Sequence, residues 1–149
     1  MHLYPYYEYK EMYRQTDKLL NDLMKAINGE YSAVQCYQKI AGMAPSEKER
    51  KQILEIRTDE IRHLQQFTQI YVNLSGRQPQ PQIQEACPNN YRKGLEFAFL
   101  DEQETVDFYL DVSDEVSDVH IKNIFKRAAA DEQNHAVWFL YYLTRKNGN

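Results

Sequence analysis

Apolar side chains recur at steps of three and four residues over four long stretches of the chain, which is the pattern of amphipathic helices. The first predicted helix runs from about residue 11 or 16 to residue 43, and Pro45 follows it. Ser46 and Glu49 then form a Ser-x-x-Glu capping box, which predicts a second helix over about 46–74. The inward positions of the first helix are Leu19, Leu20, Leu23, Met24, Ile27, Val34, Tyr37 and Ile40.

Two further helices are predicted over about residues 91–113 and 117–145. Only a short acidic turn separates them, so we expect them to be antiparallel neighbours. Residues 75–90 hold three prolines and no periodicity, and this connection is longer than most in compact domains. It is either a linker between domains or a crossover that carries the chain back along a bundle. The pattern predicts an all-α antiparallel four-helix bundle.

The chain is long enough to bury one sizeable core, and we expect a single domain over residues 1–149 that includes a Tyr-rich segment, residues 1–15. Its net charge of −4 is mild and its basic residues are dispersed, so no nucleic-acid partner is expected. No run of about 18 apolar residues occurs, which argues against a membrane span. The first residues do not resemble a signal peptide, so we expect a cytoplasmic location.

The two cysteines, Cys36 in a predicted helix and Cys87 in the loop, form no Cys-x-x-Cys pair. They therefore rule out a four-thiolate iron or zinc centre within the chain. We interpret Cys36 as a small buried hydrophobic residue and Cys87 as a loop thiol.

An internal repeat with an offset of 72 residues aligns the most unusual side chains of the chain with one another. Each half carries Glu and, seven residues later, Tyr on its first helix, and Asp-Glu-x-x-His on its second. Two helix pairs of like design are implied, which favours the crossover over a domain linker. The aligned pairs are Glu30 with Glu102, Tyr37 with Tyr109, Asp59 with Asp131, Glu60 with Glu132, and His63 with His135.

The four repeated Glu residues are predicted to point inward, because they lie among apolar neighbours. Residues i and i+3 are adjacent on a helix, so each Glu-x-x-His can hold one metal ion. Burying four carboxylates is very costly without opposite charge, and two divalent cations would balance them. Carboxylate oxygen with imidazole nitrogen suits iron or manganese. The predicted metal ligands are Glu30, Glu60, His63, Glu102, Glu132 and His135.

Four further residues of the repeat are candidates for supporting roles. Tyr37 and Tyr109 are either core aromatics or hydrogen-bond donors to a ligand carboxylate. Asp59 and Asp131 are either surface acids or acceptors for the imidazole N–H of a liganding His.

In these motifs the sequence resembles the ferritin-like superfamily, and most of all its rubrerythrin-type branch. The resemblance spans about residues 17–145 and implies an antiparallel ferritin-like bundle with a long crossover between helices 2 and 3. It implies that Glu60 and Glu132 bridge two iron ions, with Glu30 and Glu102 as terminal ligands. It also implies chemistry with oxygen or peroxide.

The chain departs from that branch in lacking a Cys-rich rubredoxin module, so an external electron-donor protein is expected as a partner. The short fifth helix common in cage-forming ferritins is also absent, which argues against a storage shell and leaves a homodimer as the expectation. Asp101 and Glu104 lie near Glu102 and are candidates for the additional carboxylate that rubrerythrins carry on helix 3. Glu104 is about 200° around the helix from Glu102, so we expect it to be solvated.

Three functions therefore compete. The leading hypothesis is a di-iron oxidoreductase that acts on peroxide or dioxygen, with a dimanganese enzyme as a variant. The second is a ferroxidase or iron-storage protein, and the third is a metal-stapled bundle that serves as a non-enzymatic binding module. In the third, the tyrosines of residues 4–13 would form a docking surface; our alternative interpretation is that they pack across the bundle or against a dimer partner.

Overall fold

The structure is a computed structural model and describes residues 4–145, with side chains from residue 7 onward. Four α-helices account for nearly all of it, as the periodicity predicts. They are α1 (Tyr4–Gly42), α2 (Glu47–Ser75), α3 (Tyr91–Glu115) and α4 (Val119–Thr144). The helices α1 and α2 form one closely packed pair, and α3 and α4 form the other. None of these helices is apolar over a length that could cross a bilayer.

The connection between α2 and α3 is a crossover and not a domain linker. The hydroxyl of Tyr91, at the start of α3, lies 3.4 Å from Oε2 of Glu49, at the start of α2. Both helices therefore begin at the same end of the bundle, and residues 76–90 travel its whole length. This topology confirms the predicted ferritin-like arrangement with a two-helix repeat.

Side-chain caps fix where three of the helices begin. Ser46 Oγ accepts a hydrogen bond from the backbone N–H of Glu49 at 3.2 Å, as the capping box predicts. Asn90 caps α3 in the same way. Asp118 caps α4 through the N–H of Ile121 at 2.9 Å. The fourth helix therefore begins two residues later than the predicted start at Ser117.

The first helix differs most from its prediction, because it begins at Tyr4 and extends for 39 residues. Lys18 pairs with Glu115, near the end of α3, so the residues before it project beyond the bundle. Tyr9 and Tyr13 are 61% and 70% exposed there. The expectation that this segment packs across its own bundle is wrong for these side chains, whereas packing against a dimer partner stays a prediction.

The apolar core consists of two clusters, one toward each end of the bundle. Phe67, Tyr109 and Phe125 form the centre of the first cluster. Tyr37 and Phe139 pack edge to face in the second, with ring centroids 5.2 Å apart. The predicted metal ligands belong to neither cluster and lie between them.

Candidate metal centre

All four helices contribute to one buried site, and each of the six predicted ligands lies in it. Glu30 comes from α1 and Glu102 from α3, whereas α2 and α4 each supply a Glu-x-x-His pair. The six side chains are 0–2% exposed. In sequence the two halves are 72 residues apart; in the bundle they face each other across its axis.

The six residues form two overlapping groups of four. Within each group, the candidate ligand atoms all lie within 4.8 Å of one another. Both groups contain Glu60 and Glu132, so these two carboxylates occupy the shared position that the resemblance implies for bridging ligands. One group adds Glu30 and His63, and the other adds Glu102 and His135.

The spacing of the atoms is that of ligands around shared ions. Nδ1 of His63 lies 3.0 Å from Oε1 of Glu132 and 3.4 Å from Oε1 of Glu30. Nδ1 of His135 lies 3.1 Å from Oε1 of Glu60. Two ligand atoms at right angles, each about 2.1 Å from one ion, are about 3 Å apart. Metal ions of ordinary coordination distance therefore fit this donor set.

Six buried polar atoms in the described part of the chain have no hydrogen-bond partner, and each of the six residues supplies one. Such groups are rare in folded proteins because a buried donor or acceptor left unpaired is destabilising. Here they converge on two points, so the unpaired atoms fit a pair of cations. They are Glu30 Oε2, Glu60 Oε1, His63 Nδ1, Glu102 Oε2, Glu132 Oε1 and His135 Nδ1.

The second nitrogen of each imidazole faces an aspartate from the other half of the repeat. Nε2 of His63 lies 2.9 Å from Asp131 Oδ2, and Nε2 of His135 lies 2.8 Å from Asp59 Oδ2. A carboxylate only accepts, so Nε2 donates in both pairs, and Nδ1 is the nitrogen directed at the Glu cluster. Arg62 bridges the two aspartates, at 3.1 Å from Asp59 and 2.8 Å from Asp131.

The two repeated tyrosines also cross between halves. The Tyr37 hydroxyl donates to Oε1 of Glu102, and the Tyr109 hydroxyl donates to Oε1 of Glu30. Burial and the neighbouring carboxylates, Glu102 for Tyr37 and Glu30 for Tyr109, raise the pKa of both phenols well above the usual value. Both hydroxyls therefore stay protonated and hold one oxygen of each carboxylate.

The titrating groups of the site strongly perturb one another. Burial opposes a charge on His63, but the nearby carboxylates of Asp131, Glu30 and Glu60 outweigh it and raise its pKa to about 12. The same balance applies to His135: burial lowers its pKa, but Glu102 and Glu60 outweigh burial and raise the pKa to about 11. Burial and the nearby Glu60 raise the pKa of Glu30 well above its usual value.

A cavity of about 470 Å³ lies between α1, α3 and the crossover and reaches the site; neither Asp59 nor Asp131 lines it. Glu30, Glu60 and Glu132 form part of its wall, so the cavity gives a small molecule access to three of the six carboxylate and imidazole ligands. Its rim includes Gln84 and Glu85 from the crossover.

The repeat does not extend to the walls of this cavity. Asp101 and Glu104 of α3 line the cavity. The equivalent positions on α1, 72 residues earlier, are Gly29 and Ser32, which carry no charge. Burial and the adjacent Glu102 raise the pKa of Asp101 to about 7. Glu104 is exposed, as predicted, and belongs to neither ligand group.

The interpretation of the cysteines as unpaired is wrong. Cys36 and Cys87 form a disulfide with Cα atoms 5.3 Å apart, which joins α1 to the crossover. The sequence separation of 51 residues gives no hint of the bond. Only the path of the crossover along α1 brings the two residues together, and sequence periodicity does not specify that path.

Two solved structures are similar to this chain in fold. A bacterioferritin from Desulfovibrio desulfuricans, described with a diiron site in different catalytic states, has a TM-score of 0.76 and 23% identity, covering 88% of this chain and 81% of that one. A hypothetical protein from Pyrococcus furiosus has a TM-score of 0.73 and 19% identity, covering 84% and 87%. At these identities the likeness shows the ferritin-like fold and no more.

No protein-family model matches the chain. It is 55% identical over 143 residues to "Uncharacterized protein YhjR" of Bacillus subtilis strain 168, which covers 96% of this chain and 99% of the relative. Identity at this level over nearly the full length of both proteins shows common membership. The chain belongs to the same family as Bacillus subtilis YhjR.

Proposed function

We propose that this chain is a ferritin-like two-metal carboxylate protein of the rubrerythrin type that uses iron to reduce peroxide or dioxygen. The observation that carries the proposal is the convergence of six unpaired buried atoms on two overlapping groups of ligands. Iron is the proposed metal because carboxylate and imidazole donors suit it, with manganese as the alternative. Bound there, the metals would supply Lewis acidity and redox capacity.

The side chains of the site divide the work between them. Glu60 and Glu132, which belong to both ligand groups, would hold both ions. Asp59 and Asp131 orient the imidazoles and keep the proton on Nε2, so that Nδ1 is available as a ligand. Tyr37 and Tyr109 restrain Glu102 and Glu30, the two carboxylates that belong to one group each.

The cavity favours an enzyme over a purely structural metal module. A structural site is closed on all sides, whereas a catalytic one keeps access for its substrate. Here about 470 Å³ of space adjoins three of the carboxylates, which is ample for peroxide or dioxygen. An external electron-donor protein, a homodimeric assembly and a cytoplasmic location complete the proposal.

The test is anaerobic loading with ferrous iron followed by stopped-flow mixing with hydrogen peroxide. We expect oxidation much faster than that of free ferrous iron, and its loss in Glu60→Gln. Glu55→Gln, an exposed position on the same helix, is the matched control and should react like the unaltered chain. Oxidation no faster than that of free iron would refute the enzyme.

The same preparation separates the two competing functions. Light scattering that gives a large shell, together with an iron content far above two per chain, would establish storage. A chain that binds two metal ions yet leaves both peroxide and ferrous iron unreacted would be a metal-stapled module.

A further inference from the structure

The crossover, residues 76–90, lies along α1 beside the mouth of the cavity. Its backbone N–H groups donate to side chains of α1: Gln82 to Asn28 Oδ1 at 2.9 Å, and Gln84 to Ser32 Oγ at 3.2 Å. These contacts lie at the surface, and surface hydrogen bonds without apolar burial open readily. Non-covalent contacts therefore hold this part of the crossover weakly.

One covalent bond holds the same segment firmly. The disulfide attaches Cys87 to Cys36, whose side chain itself lines the cavity. Glu85 on the cavity rim is only two residues from Cys87. Near the bond, Lys39 Nζ donates to the carbonyl of Cys87 at 3.3 Å. The disulfide thus tethers the rim to α1 at a point close to Glu85.

We propose that the crossover is a lid over the cavity and that the Cys36–Cys87 disulfide is its redox-sensitive latch. With the disulfide formed, the lid is held against α1 and narrows the entrance; with two thiols, residues 80–86 are released and the entrance widens. The inference rests on the proposed function, because that function makes the cavity the route by which metal ions and oxidant reach the carboxylates.

The oxidant of the proposed function is also able to close the latch. Two thiols and one hydrogen peroxide give one disulfide and two waters: the S–H and O–O bonds break, an S–S bond forms, both sulfurs are oxidised and both peroxide oxygens are reduced. A dithiol reopens the latch by thiol–disulfide exchange. Disulfides in cytoplasmic proteins are usually transient or redox-sensing, which suits a protein proposed to meet peroxide there.

Amide hydrogen exchange on the metal-free full-length chain tests the lid directly. Reduction with dithiothreitol, and separately the double variant Cys36→Ser/Cys87→Ser, should speed exchange at Gln82 and Gln84 about tenfold or more. Amides of the α2 core, such as Ile56, should stay as protected as before. Because reduction needs no substitution, a variant that failed to fold would leave the test intact. Unchanged exchange at Gln82 and Gln84 after reduction would overturn the lid.

The rate of Co²⁺ uptake, followed by its visible absorption, tests the widened entrance. We expect the double variant to take up Co²⁺ several-fold faster than the oxidised chain. Both chains are measured without added reductant, because dithiothreitol itself binds metals. Equal uptake rates would overturn the gating. If neither chain binds Co²⁺ while exchange responds to the disulfide, the lid stands and the proposed function fails.

Equilibration with glutathione buffers tests whether the latch is a switch. We expect the fraction of free thiols, counted by mass after alkylation, to change across ratios of reduced to oxidised glutathione found in the cytoplasm. A bond that stays oxidised at every such ratio is structural, and this result would overturn the redox-sensitive latch.

Discussion

Asp59 and His135 belong to opposite halves of the internal repeat, yet Asp59 Oδ2 lies 2.8 Å from His135 Nε2. Asp131 and His63 make the reciprocal contact at 2.9 Å. Each Asp therefore orients the imidazole of the other helix pair and not its own. The two halves complete each other, so neither helix pair carries a finished metal position.

Replacement of a shared carboxylate should remove more metal than replacement of an unshared one. Glu60 and Glu132 belong to both ligand groups, whereas Glu30 and Glu102 belong to one each. We expect Glu60→Gln and Glu132→Gln to lose both ions, and Glu30→Gln to keep about one per chain. Metal analysis after dialysis gives the stoichiometry. Glu104→Gln is the control and should retain two. Two ions retained in Glu60→Gln would contradict the assignment.

Removing one tyrosine hydroxyl should weaken one metal position selectively. Tyr37→Phe frees Glu102 and Tyr109→Phe frees Glu30, so each should lower the affinity of one ion by about 10–100-fold. Isothermal titration with Co²⁺ should resolve one weakened and one nearly unchanged step in each variant. Both steps weakened equally would indicate that the hydroxyls stabilise the fold and not a particular ligand.

Metal binding should release protons and weaken as the pH falls. The pKa of His63 is raised to about 12 and that of His135 to about 11, so both imidazoles carry an extra proton at neutral pH before an ion binds. Metal and proton compete for Nδ1, so about two protons or more should leave per chain loaded, and the affinity should rise with pH. Titration calorimetry in buffers of different ionisation enthalpy counts them. No proton release would contradict these pKa shifts.

Loss of the cap on α2 should destabilise the bundle by about 1 kcal/mol. In Ser46→Ala, the N–H of Glu49 loses its acceptor at 3.2 Å. Thr58→Ala, at an exposed mid-helix position of α2, removes a hydroxyl without uncapping the helix. Urea denaturation of both variants in the metal-free state should show the loss only in the first. Equal midpoints would mean that the cap contributes little.

That the six candidate ligands come together was predictable from the sequence, because the information is local and repeated. An i, i+3 pair is adjacent on any helix, and the offset of 72 residues aligns Glu60 with Glu132 and His63 with His135. Helix boundaries near strong caps, such as Ser46, were likewise predictable. The early start of α1 was not, because the predicted apolar periodicity begins only at about residue 11 or 16.

The contacts between the two halves of the repeat could not be predicted from the sequence. That Tyr37 meets Glu102 and not a partner on its own helix pair depends on how the pairs are rotated about the bundle axis. The contact between Cys36 and Cys87 was also not predictable, because it depends on the crossover running alongside α1, and the crossover has no periodicity.

The unequal cavity walls predict that two metal ions bound at the candidate centre would differ in affinity. The offset pairs Asp101 with Gly29, and Glu102 is the charged neighbour that most raises the pKa of Asp101. An additional negative charge there favours a cation beside Glu102 and His135 over one beside Glu30 and His63. We therefore expect loading to be sequential, with distinct stepwise constants, although the candidate ligands of the two halves are the same.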